Sequence, residues 1–146
     1  MVFARTKTDF TGVWRADLEK SVLRGSAPKQ ILVKIEHREP LLIQQILVAD
    51  AGGPERRQTF IIEVGANTIN TVNGTPARSR AQWEGKELLI ESWMKTPDRE
   101  FHFKDYWSLS DDGLVLTMTH RDDDLAGQIT WLEKLPAAEA AKFGGN

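Results

Sequence analysis

The sequence predicts an all-β fold, an antiparallel up-and-down β-barrel of about 8–10 strands. Apolar and polar residues alternate with a period of two along most of the chain, which is typical of half-buried strands. Turn-forming Gly, Pro, Asn and Asp residues separate these segments roughly every 8–12 residues. No helical segment of crossover length lies between them, so neighbouring strands are expected to pair antiparallel. A meander of this length leaves two unpaired edges, and closing it into a barrel removes them.

The first predicted strand, Phe10 to Leu18, alternates over its whole length. On its apolar face Gly12 leaves room for the large ring of Trp14, which is expected to be buried. The connection from 19 to 30 contains Gly and Pro and is expected to hold a short helical turn or a lid. Asn73-Gly74 predicts a two-residue type I′ hairpin turn, since that turn needs positive φ at both positions. The other strands are expected at 31–38, 41–49, 57–64, 68–72, 77–83, 88–95, 101–109, 114–121 and 128–135.

Length and composition indicate one domain spanning residues 1–146, with an N-terminal arm at 1–8 and a C-terminal tail at 137–146. Hydrophobic residues make up 40% of the chain and charged residues 27%, which are the proportions of an ordinary globular protein. The net charge is -2, with acidic and basic residues interspersed, so no nucleic-acid partner is expected. No apolar run approaches the ~20 residues of a membrane span. The oligomeric state stays open.

The chain has no cysteine, which excludes disulfides, thiolate metal sites and a cysteine nucleophile. The first residues, Met1 to Lys7, lack the apolar stretch of a signal peptide. The compartment stays open: cytoplasmic for the chain as it stands, and periplasmic or secreted if a leader peptide has been removed.

The sequence carries no motif for a metal, a cofactor or nucleophilic catalysis. Its three histidines, His37, His102 and His120, lack the short spacing of metal-ligand pairs, and His102 is expected to face solvent. The three consecutive Asp residues at 122–124 do not alternate as calcium ligands do, so this run is interpreted as a solvated hairpin tip. No Gly-x-Ser-x-Gly elbow and no phosphate-binding loop is present. We therefore expect neither a metal nor a cofactor.

The inward phase of the middle strands combines bulky aromatic side chains with small ones. Small residues beside large rings leave a hollow that a barrel of this size can keep open for a ligand. We therefore predict a protein that binds a small, mostly apolar molecule without catalysis. The residues expected to line the cavity are Ser79, Ala81, Trp83, Ser92, Met94, Phe103, Asp105 and Trp107, of which the two serines and Asp105 would orient the ligand.

Two alternatives stay open. Asp105 lies in the inward phase among aromatic residues, which makes it the one candidate for an isomerase or hydrolase built in the same barrel. A buried acid satisfied by an Arg or by the backbone is the preferred interpretation of this residue. The other alternative is a filled barrel that acts as a protein-interaction module.

Gly12-Val13-Trp14 resembles the Gly-x-Trp motif that lipocalins carry on their first strand. In length and strand succession the chain is similar to the calycin group, which includes the fatty-acid-binding proteins. More specifically, it looks like a bacterial lipocalin-like family of unassigned function. The segments that carry this resemblance are 10–14 with Lys20-Ser21, 35–40, 81–86 and 107–113, and the likeness covers most of residues 9–135.

The resemblance implies a calycin-type barrel whose closed end is filled by Trp14. In lipocalins a late basic residue packs across this Trp, and Arg121 and Lys134 are the two candidates here. Lys104-Asp105-Tyr106 resembles the second lipocalin motif, Thr-Asp-Tyr, apart from its first residue. Lipocalins also have a longer C-terminal helix, which 136–143 supplies only in part. The function that the resemblance implies is the binding of a ligand inside the barrel.

Overall fold

The computed structural model describes residues 8–25, 27–122 and 127–143. These residues form the strands β1 (Gly12–Ala16), β2 (Gln30–Arg38), β3 (Leu41–Ala49), β4 (Glu55–Glu63), β5 (Asn67–Val72), β6 (Thr75–Glu84), β7 (Glu87–Lys95), β8 (Glu100–Leu109), β9 (Val115–Asp122) and β10 (Gln128–Lys134), followed by the helix α1 (Ala137–Ala140). Nothing helical in the described chain has the length and apolar character needed to cross a membrane.

The strands form one antiparallel sheet of ten, in the order β4-β3-β2-β1-β10-β9-β8-β7-β6-β5. Apart from the step from β4 to β5, each strand pairs with the next along the chain, as the short hairpin turns predicted. The first and last strands also pair, with Trp14 opposite Lys134, and so join the two halves of the meander. The prediction of an all-β, antiparallel, up-and-down barrel is confirmed.

Side chains join β4 to β5 where the described strands form no backbone ladder. The side-chain amide of Asn70 donates from Nδ2 to the Ile61 carbonyl oxygen at 3.0 Å, and its Oδ1 accepts the Ile61 N–H at 2.8 Å. Gln58 Nε2 donates to the Thr71 carbonyl oxygen at 3.0 Å. These two amides satisfy backbone groups that an open strand edge would leave unpaired. The barrel is therefore nearly closed.

The half of the barrel that contains Trp14 is solidly packed. Trp14 is fully buried, and its Nε1 donates to the Phe10 carbonyl oxygen at 3.0 Å. The core around it takes inward residues from most of the strands: Val33, Ile35, Leu42, Ile62, Ala81, Leu88, Ile90, Trp107, Leu116 and Leu132. The burial that the first strand predicted for Trp14 is confirmed.

Lys134 and Gly12 hold the Trp14 ring in place. Lys134 Nζ lies 5.8 Å from the ring centroid, within the range of a cation–π attraction. Gly12 has a φ of +153°, which side-chain-bearing residues rarely adopt. A Cβ at this position would also lie only 2.9 Å from Lys134 Cε, so the absence of a side chain lets Lys134 pack here. Arg121 is exposed on β9, opposite Lys104. Of the two candidates, Lys134 packs across Trp14, and Arg121 does not.

An aromatic plug of Phe10, His37 and Trp83 closes this end of the barrel. The Phe10 ring stacks on His37 and on Trp83, with centroid distances of 5.7 and 5.9 Å. His37 Nδ1 accepts the Phe10 N–H at 3.2 Å. Glu39 lies 2.9 Å from His37 Nε2 through Oε1 and accepts a 2.7 Å hydrogen bond from Trp83 Nε1 through Oε2. Because their polar atoms are paired, these rings can be buried together.

The connection that follows β1 contains no helical lid in its described part. A turn at 17–20 is closed by Ser21, whose Oγ donates to the Asp17 carbonyl oxygen at 2.7 Å. Val22 then forms a β-bridge with Ile129 of β10. We call residues 17–25 the strap, because they run along β10. β1 itself is shorter than predicted, and Asp123 and Asp124 of the predicted hairpin tip lie outside the described residues.

We expect Trp14→Ala to lower the free energy of unfolding by about 3–5 kcal/mol, because it removes a fully buried ring. Trp93→Ala is the matched control, since Trp93 is only half-buried and stacks on His102 outside the packed core. Chemical denaturation, monitored by far-ultraviolet circular dichroism, measures the loss of unfolding free energy in both variants. Equal losses would show that the packed half does not depend on Trp14.

The β5–β6 turn has the two positive φ angles predicted for a type I′ turn, 50° at Asn73 and 82° at Gly74. Gly74→Val should cost about 1–2 kcal/mol of unfolding free energy, since a β-branched residue is disfavoured in this region. Gly53→Val is the control, because Gly53 lies in another exposed turn without a left-handed φ. If both variants unfold at the same denaturant concentration, the turn does not set the pairing of β5 with β6.

Candidate functional site

The half of the barrel away from the plug encloses a cavity of about 510 Å³. Its wall comes mainly from the N-terminal halves of β2, β6 and β10 and the C-terminal halves of β3, β7 and β9. Residues of β4, β5 and β8 and Arg24 of the strap complete it. Apolar side chains make up most of this wall, among them Val33, Ile46, Phe60, Ile90, Phe103 and Met118. The volume falls within the roughly 300–1,000 Å³ of small-molecule sites.

The cavity is open because small residues occupy adjacent inward positions on neighbouring strands. Ala77 and Ser79 of β6 are buried, and Ser79 lies opposite Ser92 of β7 in the sheet. The two hydroxyl oxygens are 2.8 Å apart and hydrogen-bond to each other. Two paired serines therefore face the hollow at a place where larger residues would fill it.

Six of the eight residues predicted for the cavity wall line it: Ser79, Ser92, Met94, Phe103, Asp105 and Trp107. Ala81 and Trp83 do not. Ala81 is fully buried in the packed core, where the hollow ends. Trp83 points inward as predicted, but near the other end of β6, where its ring belongs to the plug. Alternation predicts the face on which a residue lies, not its level along the barrel axis.

A charged cluster of four side chains lies on one side of the cavity: Arg24, Asp105, His120 and Asp122. Asp105 Oδ1 is 2.7 Å from His120 Nδ1, and Asp122 Oδ1 is 2.7 Å from His120 Nε2. Asp122 Oδ2 in turn lies 3.0 Å from a terminal nitrogen of Arg24, which the strap brings to this position. Arg24, Asp105 and His120 line the cavity directly, and Asp122 stands behind them. Three contacts between opposite charges therefore link the four side chains in the order Asp105, His120, Asp122 and Arg24.

Asp105 raises the pKa of His120 above its ordinary value of 6.5, chiefly through the hydrogen bond to Nδ1. Burial acts in the opposite direction, while the negative charges of Asp105 and Asp122 add to the increase. The folded protein therefore favours the imidazolium form, in which both ring nitrogens carry protons and face carboxylates. In that form the charged cluster holds two positive and two negative groups and is electrically neutral.

Sequence reasoning identified Asp105 but missed its partners. The expected partner was an Arg or the backbone, whereas the structure provides His120. The signal for His120 was present, since it continues the inward alternation of Leu116 and Met118 on β9. Asp122 was interpreted as part of a solvated tip, but it ends β9, and only 15% of its side chain is exposed.

The other two histidines lie away from the cavity. His37 belongs to the plug, and His102 stacks on Trp93, with its Nε2 2.9 Å from Glu91. Across the described residues, no three imidazole or carboxylate side chains converge as metal ligands would.

The raised pKa of His120 makes stability depend on pH. Its contribution is fully present below the ordinary value of 6.5 and is lost as pH rises through the higher pKa of the folded state. The free energy of unfolding of the wild type should therefore decline above pH 6.5 more steeply than that of His120→Gln. Urea denaturation at pH values from about 5 to about 9 measures both slopes. Parallel curves would show that Asp105 and Asp122 do not hold the proton.

The chain matches no family model and no curated protein. Among solved structures it is similar to a secretory abundant heat soluble protein from Ramazzottius varieornatus, with a TM-score of 0.68 and 16% identity over 86% of this chain and 94% of that one. It is also similar to the fluorescent protein UnaG, with a TM-score of 0.61 and 14% identity over 86% of this chain and 97% of that one. A fatty acid binding protein from Schistosoma mansoni, solved in complex with arachidonic acid, has a TM-score of 0.57 and 10% identity over 87% of this chain and 96% of that one.

Identities this low show a common fold and nothing finer. The similarity extends over most of each chain, so it covers the whole barrel rather than one hairpin. The chain therefore has the nearly closed, ten-stranded, calycin-type barrel fold of the fatty-acid-binding proteins.

Proposed function

We propose that this protein binds one small, mostly apolar molecule inside its barrel, without catalysis. The observation that carries the proposal is the cavity of about 510 Å³, with a largely apolar wall and one charged cluster. Small-molecule sites combine such a wall, which supplies contact area, with a few polar groups, which set the orientation of the ligand.

Phe103 and Trp107 of β8 would supply the flat apolar contact, and Asp105 lies between them in the same inward phase. Ser79 and Ser92 already bond to each other, which leaves one of their two hydroxyl protons for a ligand. Asp105 and His120 side chains are each 29% exposed, so a molecule in the cavity can reach them. The polar end of the ligand would therefore lie against β8 and β9.

The fold neighbours support the proposal by analogy. The protein from Schistosoma mansoni was solved with arachidonic acid, so a barrel of this type accommodates a long apolar molecule. A shared fold does not transfer a ligand, and the argument for this chain rests on its own cavity. That cavity also favours ligand binding over the alternative of a filled interaction module.

An enzyme in the same barrel is the second candidate. Asp105 and His120 form an acid–base pair at the cavity wall, which is the observation in its favour. Both nitrogens of His120 face carboxylates in this arrangement, so the imidazole presents no free lone pair to a ligand. Turnover of a bound compound that is lost in Asp105→Asn would favour this candidate.

Titration with Nile red, an uncharged dye whose emission depends on its environment, tests the proposal. We expect binding with a Kd of about micromolar, accompanied by quenching of tryptophan fluorescence. Ala77→Phe should weaken binding at least about tenfold, because the new ring enters the cavity at its wall. Ile69→Phe is the matched control, since Ile69 is 72% exposed on β5 and outside the cavity.

Thermal melting of both variants shows whether they remain folded. Weaker binding by Ala77→Phe alone would place the dye in the cavity. If Nile red does not bind more tightly than about millimolar, or if Ala77→Phe binds it as well as the control, the cavity is not a binding site.

A further inference from the structure

We infer that the cavity selects ligands whose polar end is a protonated amine, over ligands that end in a carboxylate. This inference rests on the proposed function, because it names the ligand class of the same site. The residue that would receive the amine is Asp105.

The cations of the charged cluster are already paired. Each cation there already faces a carboxylate: Arg24 lies 3.0 Å from Asp122, and His120 lies 2.7 Å from both Asp105 and Asp122. Asp105 uses Oδ1 for His120. Its other oxygen, Oδ2, has no hydrogen bond or ion pair within the described residues. The cluster therefore offers a ligand the acceptor Oδ2, whereas each of its cations already lies beside a carboxylate that neutralises it.

As a whole, the charged cluster carries no net positive charge. With His120 protonated, Arg24 and His120 balance Asp105 and Asp122, and with His120 neutral the sum is one negative charge. A carboxylate would thus meet a neutral or negative cluster with two carboxylates in it. Moving an anion from water to such a place is costly without a cation to pair with it. An ammonium group can donate three hydrogen bonds, and a charge-assisted bond to Asp105 would offset its loss of water.

Asp105 lies in the inward phase of β8 between Phe103 and Trp107, and all three line the cavity. An apolar chain against these rings would therefore bring its polar end to Asp105. The uncharged polar groups of the wall, such as Gln44 and Ser79, add no positive charge that would attract an anion.

The test compares decylamine, decanol and decanoate, which share one apolar chain and differ in the charge of the end group. The affinity of each compound is measured by displacement of Nile red from the wild-type protein at about pH 8, where the amine is protonated and the acid is ionised. We expect decylamine to bind about tenfold or more tightly than decanoate, with decanol between them. Equal or tighter binding of decanoate would overturn the inference while leaving the proposed function intact. If Nile red itself does not bind, the proposed function fails instead.

Two variants test the role of Asp105. Asp105→Asn removes the charge at nearly constant shape and should bring the affinity for decylamine down to that for decanol. Glu100→Gln removes the same charge from β8 at an exposed position outside the cavity and should leave the decylamine preference unchanged. A preference that survives in Asp105→Asn would overturn the assignment of this residue. If Asp105→Asn does not fold, the comparison of the three ligands on the wild type still decides the charge preference.

The pH profile gives an independent readout. Asp105 on β8 and Asp122 on β9 face His120, Arg24 on the strap reaches Asp122, and Gln128 on β10 pairs with His120 in the sheet. As His120 loses its proton, the cluster gains a net negative charge, while a primary amine stays protonated up to about pH 9. The ratio of decylamine to decanol affinity should therefore rise with pH in the wild type and be constant in His120→Gln. A ratio that falls with pH in the wild type would contradict the inference.

Discussion

A nearly closed sheet of ten strands encloses more space than its inward side chains fill, unless those side chains are large. At one end they are large: Phe10, Trp14 and Leu116 are fully buried, and the plug is made of stacked rings. At the other end Ala77 and Ser79 take inward positions, and a hollow of about 510 Å³ remains. The packed end supplies the hydrophobic core that stabilises the barrel. Small residues at the hollow end therefore leave that core intact.

The charged cluster shows how the hollow end holds polar groups. Charges taken partly out of water are stable only when they are paired, and here each of the four has a partner of opposite sign. One of these partners, Arg24, comes from the strap, where its backbone N–H also donates to Gln128 at 3.2 Å. Electrostatic pairing in the cavity therefore helps to fix the connection that follows β1. The site and the local structure around it are built from the same contacts.

Local patterns predicted most of the fold, because alternation and turn residues are local properties. The Asn73-Gly74 turn and the inward phase of β6 to β8 could be identified in this way. Other features depend on residues far apart in the chain. Whether Lys134 or Arg121 meets Trp14, and whether Trp83 belongs to the plug or the cavity, depends on strand register around the whole barrel. Arg24 lies in an irregular connection, where no periodicity indicates the direction of a side chain.

We expect a ligand to occupy the hollow end and to leave the packed end unchanged. The indole N–H resonances of the five tryptophans test it directly, because they report from different places. Trp107 lines the cavity, Trp14 and Trp83 lie in the packed end, and Trp93 stacks on the outer face. On saturation with decanol, we expect the Trp107 signal to shift and those of Trp14 and Trp93 to stay in place. A shift at Trp93 with none at Trp107 would place the ligand outside the barrel and contradict the account.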